Sequence, residues 1–367
     1  MNPEPIPDPE VTIILPVYNA EKFLACALDS ALNQTLREIE VIAVDDGSSD
    51  GSYGILTERA ASDSRLRVFR QEKNSGTLTA RIRGLQECRG KYVMFLDPDD
   101  FLDPSAAEKL SALAREKQAD IVHFGTREFT RRPDGTIQER YNWTPPADKW
   151  IAGKGEVLRY LLVSGGIWSL CFKLTRTEIC RRALAGGDNF YCIMGEDLYF
   201  YLLIAYQAER YLQTSQPYYR YDTTTGVTAS NPDSPEKFIR STATILDALD
   251  HGEAFLREKH VLDDPELAAG WEKIVRSQYL ILWNRWYYRL KPGERGEIGE
   301  YLLQHASNKE LFLLSLFDEN DYLRENEEFL KFSRMIYKIM NRLFPKNSYL
   351  RMKLKAWYKK SAGKEKK

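Results

Sequence analysis

The sequence predicts an α/β fold, in which a mostly parallel sheet with flanking helices is followed by an α-helical C-terminal region. Short apolar runs, typical of fully buried strands, alternate with amphipathic helical stretches up to about residue 125. From about residue 231 onward, apolar residues recur at helical spacing. Strands that alternate with helices usually pair in parallel, through right-handed crossovers. The alternation therefore predicts a sheet whose strands end at one common edge.

The first predicted strand, Val11–Leu15, is a continuous apolar run that Pro16 should end, because proline has no backbone N–H for the ladder. Asn19 is placed to cap a helix that runs to about residue 33 with apolar residues on one face. A second buried strand follows at Glu40–Val44. The remaining elements of this half are, in order, a helix to about residue 62, a strand at Leu66–Phe69, a helix after Gly76 that stops at Gly90, a strand at Tyr92–Leu96, a helix at about Ser105–Lys117 and a strand at Asp120–Phe124.

Beyond residue 124 the pattern changes. Pro133-Asp134-Gly135 lies between two strand-like runs and predicts a hairpin. Glu196-Asp197 opens a strongly apolar helix, Leu198–Tyr206. His123 lies in an apolar strand and is predicted to be a core histidine.

The composition is typical of a soluble globular protein, with 43% hydrophobic and 29% charged residues among 367. Five widely spaced cysteines without a C-x-x-C pair indicate free thiols in a reducing compartment. The polar N-terminus differs from a signal peptide, and no apolar run approaches the roughly 20 residues of a membrane span. We therefore expect a cytoplasmic protein.

The net charge of −1 conceals a basic end, because residues 331–367 contain thirteen Lys or Arg and one Glu. Two interpretations are open for this amphipathic stretch: helices that lie on an anionic membrane surface, at the inner face of the cell membrane, or helices that pack on protein. For residues 231–330 the spacing favours a helical bundle, with a second copy of the chain as a candidate partner. The candidate core residues of this bundle are Tyr279, Leu282, Trp283 and Trp286.

Carboxylates follow two of the predicted strands. Asp97, Asp99 and Asp100 come directly after the fourth strand, and Asp45 and Asp46 after the second. In open α/β sheets, ligands bind in the crevice beyond the strand ends, where gathered carboxylates need a counter-charge. One interpretation is a divalent cation that also holds phosphate oxygens. The other is a solvated acidic turn that caps the following helix.

Five short motifs occur in one order: PVYN at 16–19, DDGS at 45–48, NSG with ARIRGL at 74–85, DPDD at 97–100 and GED at 195–197. Over about residues 10–225 the chain thus resembles the family-2 glycosyltransferases with the Rossmann-like GT-A fold, which are inverting enzymes that use nucleotide-activated sugars. Two positions depart from the family pattern. Ile82 stands where the family often has Asn, and Pro98 where it often has a small residue.

The resemblance implies a catalytic domain at residues 1–225, with a nucleotide-sugar half at about 10–125 and an acceptor half at about 126–225. The helical bundle at 231–330 and the basic helices at 331–367 would follow it.

The resemblance also implies donor-binding roles near the first two strands. Pro16 and Tyr18 would lie at the nucleotide, with the Tyr18 ring on the base. Asp45 would accept a hydrogen bond from a base N–H, while Asp46 or Ser48 braces the loop. The alternatives are a surface tyrosine and a helix-capping aspartate.

Further donor-side roles follow from the same resemblance. Asp97 would lie near the ribose and the metal, and Asp99 would ligate Mg²⁺ or Mn²⁺, hard ions that prefer oxygen ligands. Asp100 is expected to be structural, since three acids cannot face one ion without strong repulsion. Arg81 would reach the base or a phosphate, or else be an exposed helix arginine.

On the acceptor side, Asp197 is predicted to be the general base and Glu196 to orient it or touch the sugar. The alternative is that both acids only favour the first turn of their helix. Trp168 would stack on an acceptor sugar or lie in the core. Arg220 and Thr225 are expected on a loop that closes over the diphosphate.

The sequence thus predicts an inverting, metal-dependent glycosyltransferase that passes a sugar from a nucleotide donor, UDP-linked by expectation, to a glycan or lipid-linked acceptor in a bacterial surface-polysaccharide pathway. No nucleic-acid partner is expected. Two alternatives stay open. One is a sugar nucleotidyltransferase, which usually needs a Gly-rich basic loop where this chain has VYNAEKF. The other is a nucleotide-sugar-binding scaffold subunit without turnover.

Overall fold

Ten strands and ten α-helices make up the described part of this computed structural model, which comprises residues 8–132, 134, 136–143, 148–225, 234–308, 311, 312 and 315. The strands are β1 (Val11–Val17), β2 (Ile39–Asp45), β3 (Leu66–Arg70), β4 (Tyr92–Phe95), β5 (Phe101–Leu102), β6 (Ile121–Arg131), β7 (Ile137–Trp143), β8 (Lys149–Ala152), β9 (Lys173–Arg176) and β10 (Arg210–Asp222). The helices are α1 (Leu24–Leu32), α2 (Ser52–Ser62), α3 (Thr77–Glu87), α4 (Ala106–Glu116), α5 (Glu156–Ser164), α6 (Thr177–Ala185), α7 (Glu196–Gln207), α8 (Pro235–Glu258), α9 (Pro265–Arg289) and α10 (Arg295–His305).

The strands form one sheet in the order β3-β2-β1-β4-β9-β6-β10-β5, with β7 paired to β6 and β8 to β10. The first four strands are parallel. Strand β9 enters antiparallel between β4 and β6, and β10 pairs parallel with β6. The predicted α/β fold is confirmed, and each of its antiparallel pairs includes a strand from the second half, where the alternation of strands and helices breaks down in the sequence.

The carboxyl ends of β1, β2 and β4 meet at one edge of the sheet. Val17 is paired with Asp45, and Ile14 with Phe95, so that the segments after these three strands leave the sheet side by side. Strands β1 and β2 are buried along their whole length, as parallel strands covered on both faces must be. This register brings together the polar residues that follow each strand.

Pro16 does not end the first strand, contrary to the prediction, because β1 continues to Val17. The Ile14 carbonyl accepts a hydrogen bond from the Leu96 N–H, which places Ile14 and, two residues on, Pro16 toward the β4 side. Since β4 ends at Phe95, a backbone N–H at position 16 would have no strand partner on that side. Proline at position 16 therefore removes no hydrogen bond between β1 and β4.

Asn19 does not cap α1, which begins at Leu24. Its backbone has a positive φ of 50°, a conformation that asparagine tolerates better than most residues. Its N–H donates to Ser48 Oγ at 3.0 Å, and its side-chain Oδ1 accepts from the Ser49 N–H at 2.9 Å. Asn19 thus ties the loop after β1 to the loop after β2.

The predictions for the second half agree with the structure where it is described. Strands β6 and β7 form the expected antiparallel hairpin. Helix α7 begins at Glu196, as the sequence indicates. His123 is 3% exposed, and its Nδ1 lies 2.5 Å from the Tyr211 hydroxyl, so it is a core histidine.

The described residues fall into two compact units: residues up to 225 together with 247–271, and residues 234–246 together with 272–315. The sequence grouped residues 247–271 with the helical bundle, and the structure places them in the first unit instead. In the second unit the predicted bundle core is buried, with Trp283 stacked on Phe312 at 4.5 Å between ring centroids. Residues 331–367, with both interpretations of the basic end, lie outside the described residues.

None of the described helices combines the length and the apolar character that a membrane span requires.

Gly76 joins the loop after β2 to the segment before α7. Its φ is +92°, and a Cβ on it would lie 2.7 Å from the Cys192 nitrogen and 2.8 Å from the Cys192 oxygen. Its N–H donates to Asp46 Oδ2 at 2.9 Å, and the Leu78 N–H donates to the Cys192 carbonyl at 3.1 Å. Backbone packs directly on backbone here, so only glycine fits.

We expect Gly76→Ala to lower the free energy of unfolding by about 1–3 kcal/mol, because the new methyl group enters the Cys192 backbone at a strained φ. Gly54→Ala is the matched control. Gly54 lies inside α2 with no atom within 4 Å of an added Cβ, and its replacement should be neutral or stabilising by up to about 1 kcal/mol. Urea denaturation of both variants measures the difference, and equal values would contradict the packing argument.

Candidate active site

A buried arginine stands at the centre of the polar crevice. Arg81, in α3, is 1% exposed. Its Nη1 donates to Glu196 Oε1 at 3.0 Å and contacts Asp197 Oδ1, and its Nη2 donates to Asp97 Oδ1 at 3.0 Å. One guanidinium therefore joins the end of β4 to the start of α7.

The charges of this cluster depend on one another. Burial alone would lower the pKa of Arg81, but Asp197, Asp97 and Glu196 together hold that pKa well above its usual value. The guanidinium stays charged, and one positive charge faces three carboxylates. Such a fork of donors matches carboxylate geometry in a way that a lysine cannot.

Glu196 and Asp197 lie in the first turn of α7, after Gly195, whose φ is +94°. Burial raises the pKa of both carboxyls above their usual values, and Arg81 opposes the rise. Asp197 Oδ2 also accepts the Leu170 N–H at 3.3 Å. The donors that orient Asp197 are thus Arg81 and the Leu170 amide.

The three aspartates after β4 have separate environments. Asp99 Oδ2 accepts from Thr225 Oγ1 at 2.7 Å, and burial, with the charge of Asp97, raises the pKa of Asp99 to about 6. Asp100 accepts from the Tyr219 hydroxyl at 2.8 Å and from the Asp222 N–H at 2.7 Å. Both Asp100 oxygens are used within the fold, in agreement with its expected structural role.

Asp97 and Asp99 fit a divalent cation that takes its other ligands from a substrate. One oxygen of each, Asp97 Oδ2 and Asp99 Oδ1, accepts no hydrogen bond from the described residues. The raised pKa of Asp99 reflects burial and repulsion that a cation would offset. The described residues hold no group of three or more His, Cys, Asp or Glu side chains suited to a metal. Two carboxylates plus phosphate oxygens and water are what Mg²⁺ typically uses.

The loop after β2 offers a buried acceptor beside an exposed ring. Asp45 is fully buried, and its Oδ2 accepts no hydrogen bond from the described residues, although Arg70 Nε lies 3.2 Å away. The Tyr18 ring, on the neighbouring loop, is 42% exposed. Arg70 balances the charge of Asp45, and a ligand N–H would supply the hydrogen bond that this buried oxygen lacks.

Asp46 braces the neighbouring turn, which was one of the two options from the sequence. Its Oδ1 accepts from Gln71 Nε2 at 2.8 Å and from the Ser75 N–H at 2.7 Å, and its Oδ2 accepts the Gly76 N–H. Both Asp46 carboxylate oxygens are therefore occupied within the fold. The Pro16 side chain is buried in β1.

Two site predictions are corrected by the structure. Arg81 is not an exposed helix arginine, because its guanidinium is buried and pairs with carboxylates. Arg220 lies in strand β10, not on a loop, where its Nη2 contacts Glu139 Oε1. Thr225 does reach the crevice, through its bond to Asp99. Trp168 is partly exposed, on the segment next to Leu170.

Sequence reasoning missed two basic residues of the site. Arg131, at the end of β6, donates to Asp222 Oδ2 at 2.6 Å and to the Asp99 carbonyl at 3.1 Å, which fixes the backbone of Asp99. Lys173, the first residue of β9, is buried next to the segment that carries Trp168. Both stand in strands, and neither has a local motif that would mark its long-range partners.

Residues 12–178 match the model of the family described as glycosyl transferase family 2. The uncharacterized glycosyltransferase EpsJ of Bacillus subtilis (strain 168) is 34% identical over 218 residues, which cover 58% of this chain and 61% of that protein. Chondroitin synthase of Escherichia coli is 38% identical over 135 residues, 37% of this chain and 20% of that protein. The chain thus spans about three fifths of the first relative and about a fifth of the second.

A solved structure shares the fold. The crystal structure of S. aureus TarS 1-349 superimposes with a TM-score of 0.53 at 19% identity, over 97% of this chain and 91% of that one. At this identity the likeness concerns the architecture alone.

We expect Arg81→Met to lower the free energy of unfolding by about 3–5 kcal/mol, because it leaves three carboxylates together without their counter-charge. The matched control is Arg83→Met on the same helix. The Arg83 side chain is 47% exposed and pairs with Glu87 one turn away, so its loss should cost at most about 0.5 kcal/mol. Chemical denaturation of the two variants tests this, and similar losses would show that Arg81 is not the central counter-charge.

Proposed function

Because residues 12–178 match the model of glycosyl transferase family 2, we propose that this chain is an inverting, divalent-metal-dependent glycosyltransferase of that family. The donor is a nucleotide diphosphate sugar, with UDP as the expected nucleotide, and the acceptor is a hydroxyl of a glycan or a lipid-linked glycan. The observation that carries the proposal is the arrangement around Arg81, which holds the candidate metal ligand Asp97 and the candidate base Asp197 on one guanidinium.

The donor would occupy the crevice beyond β1, β2 and β4. The exposed Tyr18 ring supplies a face for the base, and Asp45 Oδ2 supplies a buried acceptor for a base N–H. Asp97 and Asp99 would hold Mg²⁺ or Mn²⁺ against the diphosphate. When bound, such a cation neutralises the charge that develops on the leaving diphosphate.

Asp197 is the proposed general base. In the transfer, the acceptor oxygen forms a bond to the anomeric carbon while the bond from that carbon to the diphosphate oxygen breaks, and the hydroxyl proton passes to Asp197. Attack from the face opposite the leaving group inverts the anomeric centre. Burial raises the proton affinity of Asp197, and Arg81 with the Leu170 amide fixes its direction. Trp168, two residues before Leu170 on the same segment, is the proposed stacking surface for the acceptor sugar.

The nucleotide-binding part is tested by calorimetric titration of UDP, GDP and CDP, each with and without Mn²⁺. We expect one nucleotide to bind in a metal-dependent way, and Asp99→Ala to weaken that binding by about 10-fold or more. Asp103→Ala is the control, because Asp103 caps the start of α4 through Ser105 and lies outside the pair. If a folded wild-type chain binds none of the nucleotides, the proposal fails.

The catalytic part is tested with Asp197→Asn, which keeps the shape but removes the proton acceptor. We expect release of nucleotide from the donor sugar to slow by about 10²–10⁴-fold, while the affinity for the nucleotide changes little. Glu178→Gln, an exposed acid in the first turn of α6, is the matched control. Unchanged turnover in Asp197→Asn would exclude Asp197 as the base. If the wild type and both variants all lack turnover, a binding subunit is favoured.

A further inference from the structure

Lys173 is a buried cation that the proposed mechanism does not use. Its side chain is 1% exposed, at the start of β9 in the middle of the sheet. Its Nζ donates to the Ile167 carbonyl at 2.8 Å and to the Ser169 carbonyl at 2.5 Å. The ammonium also lies 4.1 Å from the centroid of the Tyr201 ring, a cation–π distance.

Within the described part of the chain, the groups that contact Lys173 Nζ are two backbone carbonyls and an aromatic ring, which carry no charge. Its register partner across the sheet is His123, whose partner in turn is Gln213. Burial lowers the pKa of Lys173 to about 7, with Asp197 opposing the change. Burying an ammonium is costly unless its donors are satisfied, and here the two carbonyls and the Tyr201 ring take that role.

The two carbonyls flank one residue. Ile167 and Ser169 stand on either side of Trp168, so a single ammonium fixes both peptide groups around it. The next N–H along the chain, that of Leu170, is the one that donates to Asp197 Oδ2. The segment from residue 167 to residue 170 therefore carries a base-orienting amide and an aromatic ring, and Lys173 holds its backbone.

We infer that Lys173 is a positioning residue, which holds the 167–170 segment in the register that orients Asp197 and presents Trp168 to an acceptor. This inference rests on the proposed function for its catalytic consequence, but the hold on the segment is a structural statement in its own right. Lys173 itself contacts backbone carbonyls and a ring, and acts on the reaction only through them.

A merely structural role has a different signature. If Lys173 only filled the core, its loss would loosen β9 together with its sheet neighbours β4 and β6 and with α7, which carries Tyr201. A positioning role predicts a local effect on the 167–170 segment, with the neighbouring strands unchanged and the donor site intact.

The test is hydrogen–deuterium exchange with mass spectrometry on the full chain, with Lys173→Met compared with wild type. We expect the amide of Leu170 to exchange about 10-fold faster or more in the variant, since charge-assisted bonds to its segment are lost. Peptides of β1 and β4 should exchange at the wild-type rate. Lys149→Met is the matched control, because Lys149 is exposed and lies over the Tyr160 ring at 4.3 Å.

A kinetic arm separates this inference from the proposed function. With UDP-sugars as donors and water as acceptor, Lys173→Met should lower kcat by about 10-fold or more and leave the donor KM within about 3-fold of wild type. If no donor is turned over by the wild type, the proposed function fails, and the exchange experiment still decides the hold on the segment.

Three outcomes overturn the inference: wild-type exchange at Leu170 in the variant, loosening spread over β4, β6 and α7, or a change in donor KM without a change in kcat. If Lys173→Met does not fold, Lys173→Gln provides a milder variant, because it keeps an N–H donor. In Lys173→Gln the Leu170 amide should exchange faster than in the wild type and more slowly than the rate expected for Lys173→Met. A Leu170 amide that exchanges freely in the wild type would also contradict the proposed hold, whichever variants fold.

Discussion

The contact between one buried guanidinium and three carboxylates is the interaction on which the rest of the site depends. Arg81 reaches Asp97 at the end of β4 and both acids at the start of α7, so segments about a hundred residues apart in sequence meet on one side chain. One positive charge does not neutralise three negative ones. The excess negative charge, with burial, appears as the raised pKa of Asp99 and of both α7 acids. This excess of negative charge is what the proposed cation at Asp97 and Asp99 would offset, and the raised pKa of Asp197 suits the base role that we propose for it.

The backbone links the two halves of the site as firmly as the charges do. Asp46 accepts hydrogen bonds from the turn before α3, and Gly76 in that turn packs on the Cys192 backbone. Helix α7 begins at Glu196, four residues after Cys192. The loops after β1 and β2 are joined to each other through Asn19 and Ser48. The loop after β2 is thus joined to the segment before α7 through hydrogen bonds and close backbone contacts.

Local sequence patterns were sufficient to predict the parallel part of the sheet and the residue types that gather at the carboxyl edge of its strands. Apolar runs mark β1, β2 and β4, and parallel pairing then places the acids after them together. Local patterns did not predict contacts between side chains and partners far away in sequence. Nothing near Arg81 shows that its partners lie at Asp97 and Glu196, and nothing near Lys173 shows that its ammonium faces two carbonyls. Pro16 was misjudged because its effect depends on where the neighbouring strand ends.

Burial and Arg81 are the two largest influences on the proton affinity of Asp197, and they oppose each other. Their balance explains why Asp197, as the proposed base, needs a hydrogen bond from the Leu170 amide as well as the contact with Arg81. Burial favours the protonated acid, whereas the Arg81 guanidinium favours the carboxylate. A base that Arg81 alone controlled would be held as a tight ion pair and would accept a proton poorly. The Leu170 amide is neutral, so it directs the second oxygen without lowering the proton affinity as much as a cation would. Because the Lys173 ammonium binds the carbonyl just before that amide, we expect the sheet to fix the geometry of the proposed base, while burial and Arg81 are the two largest influences on its basicity.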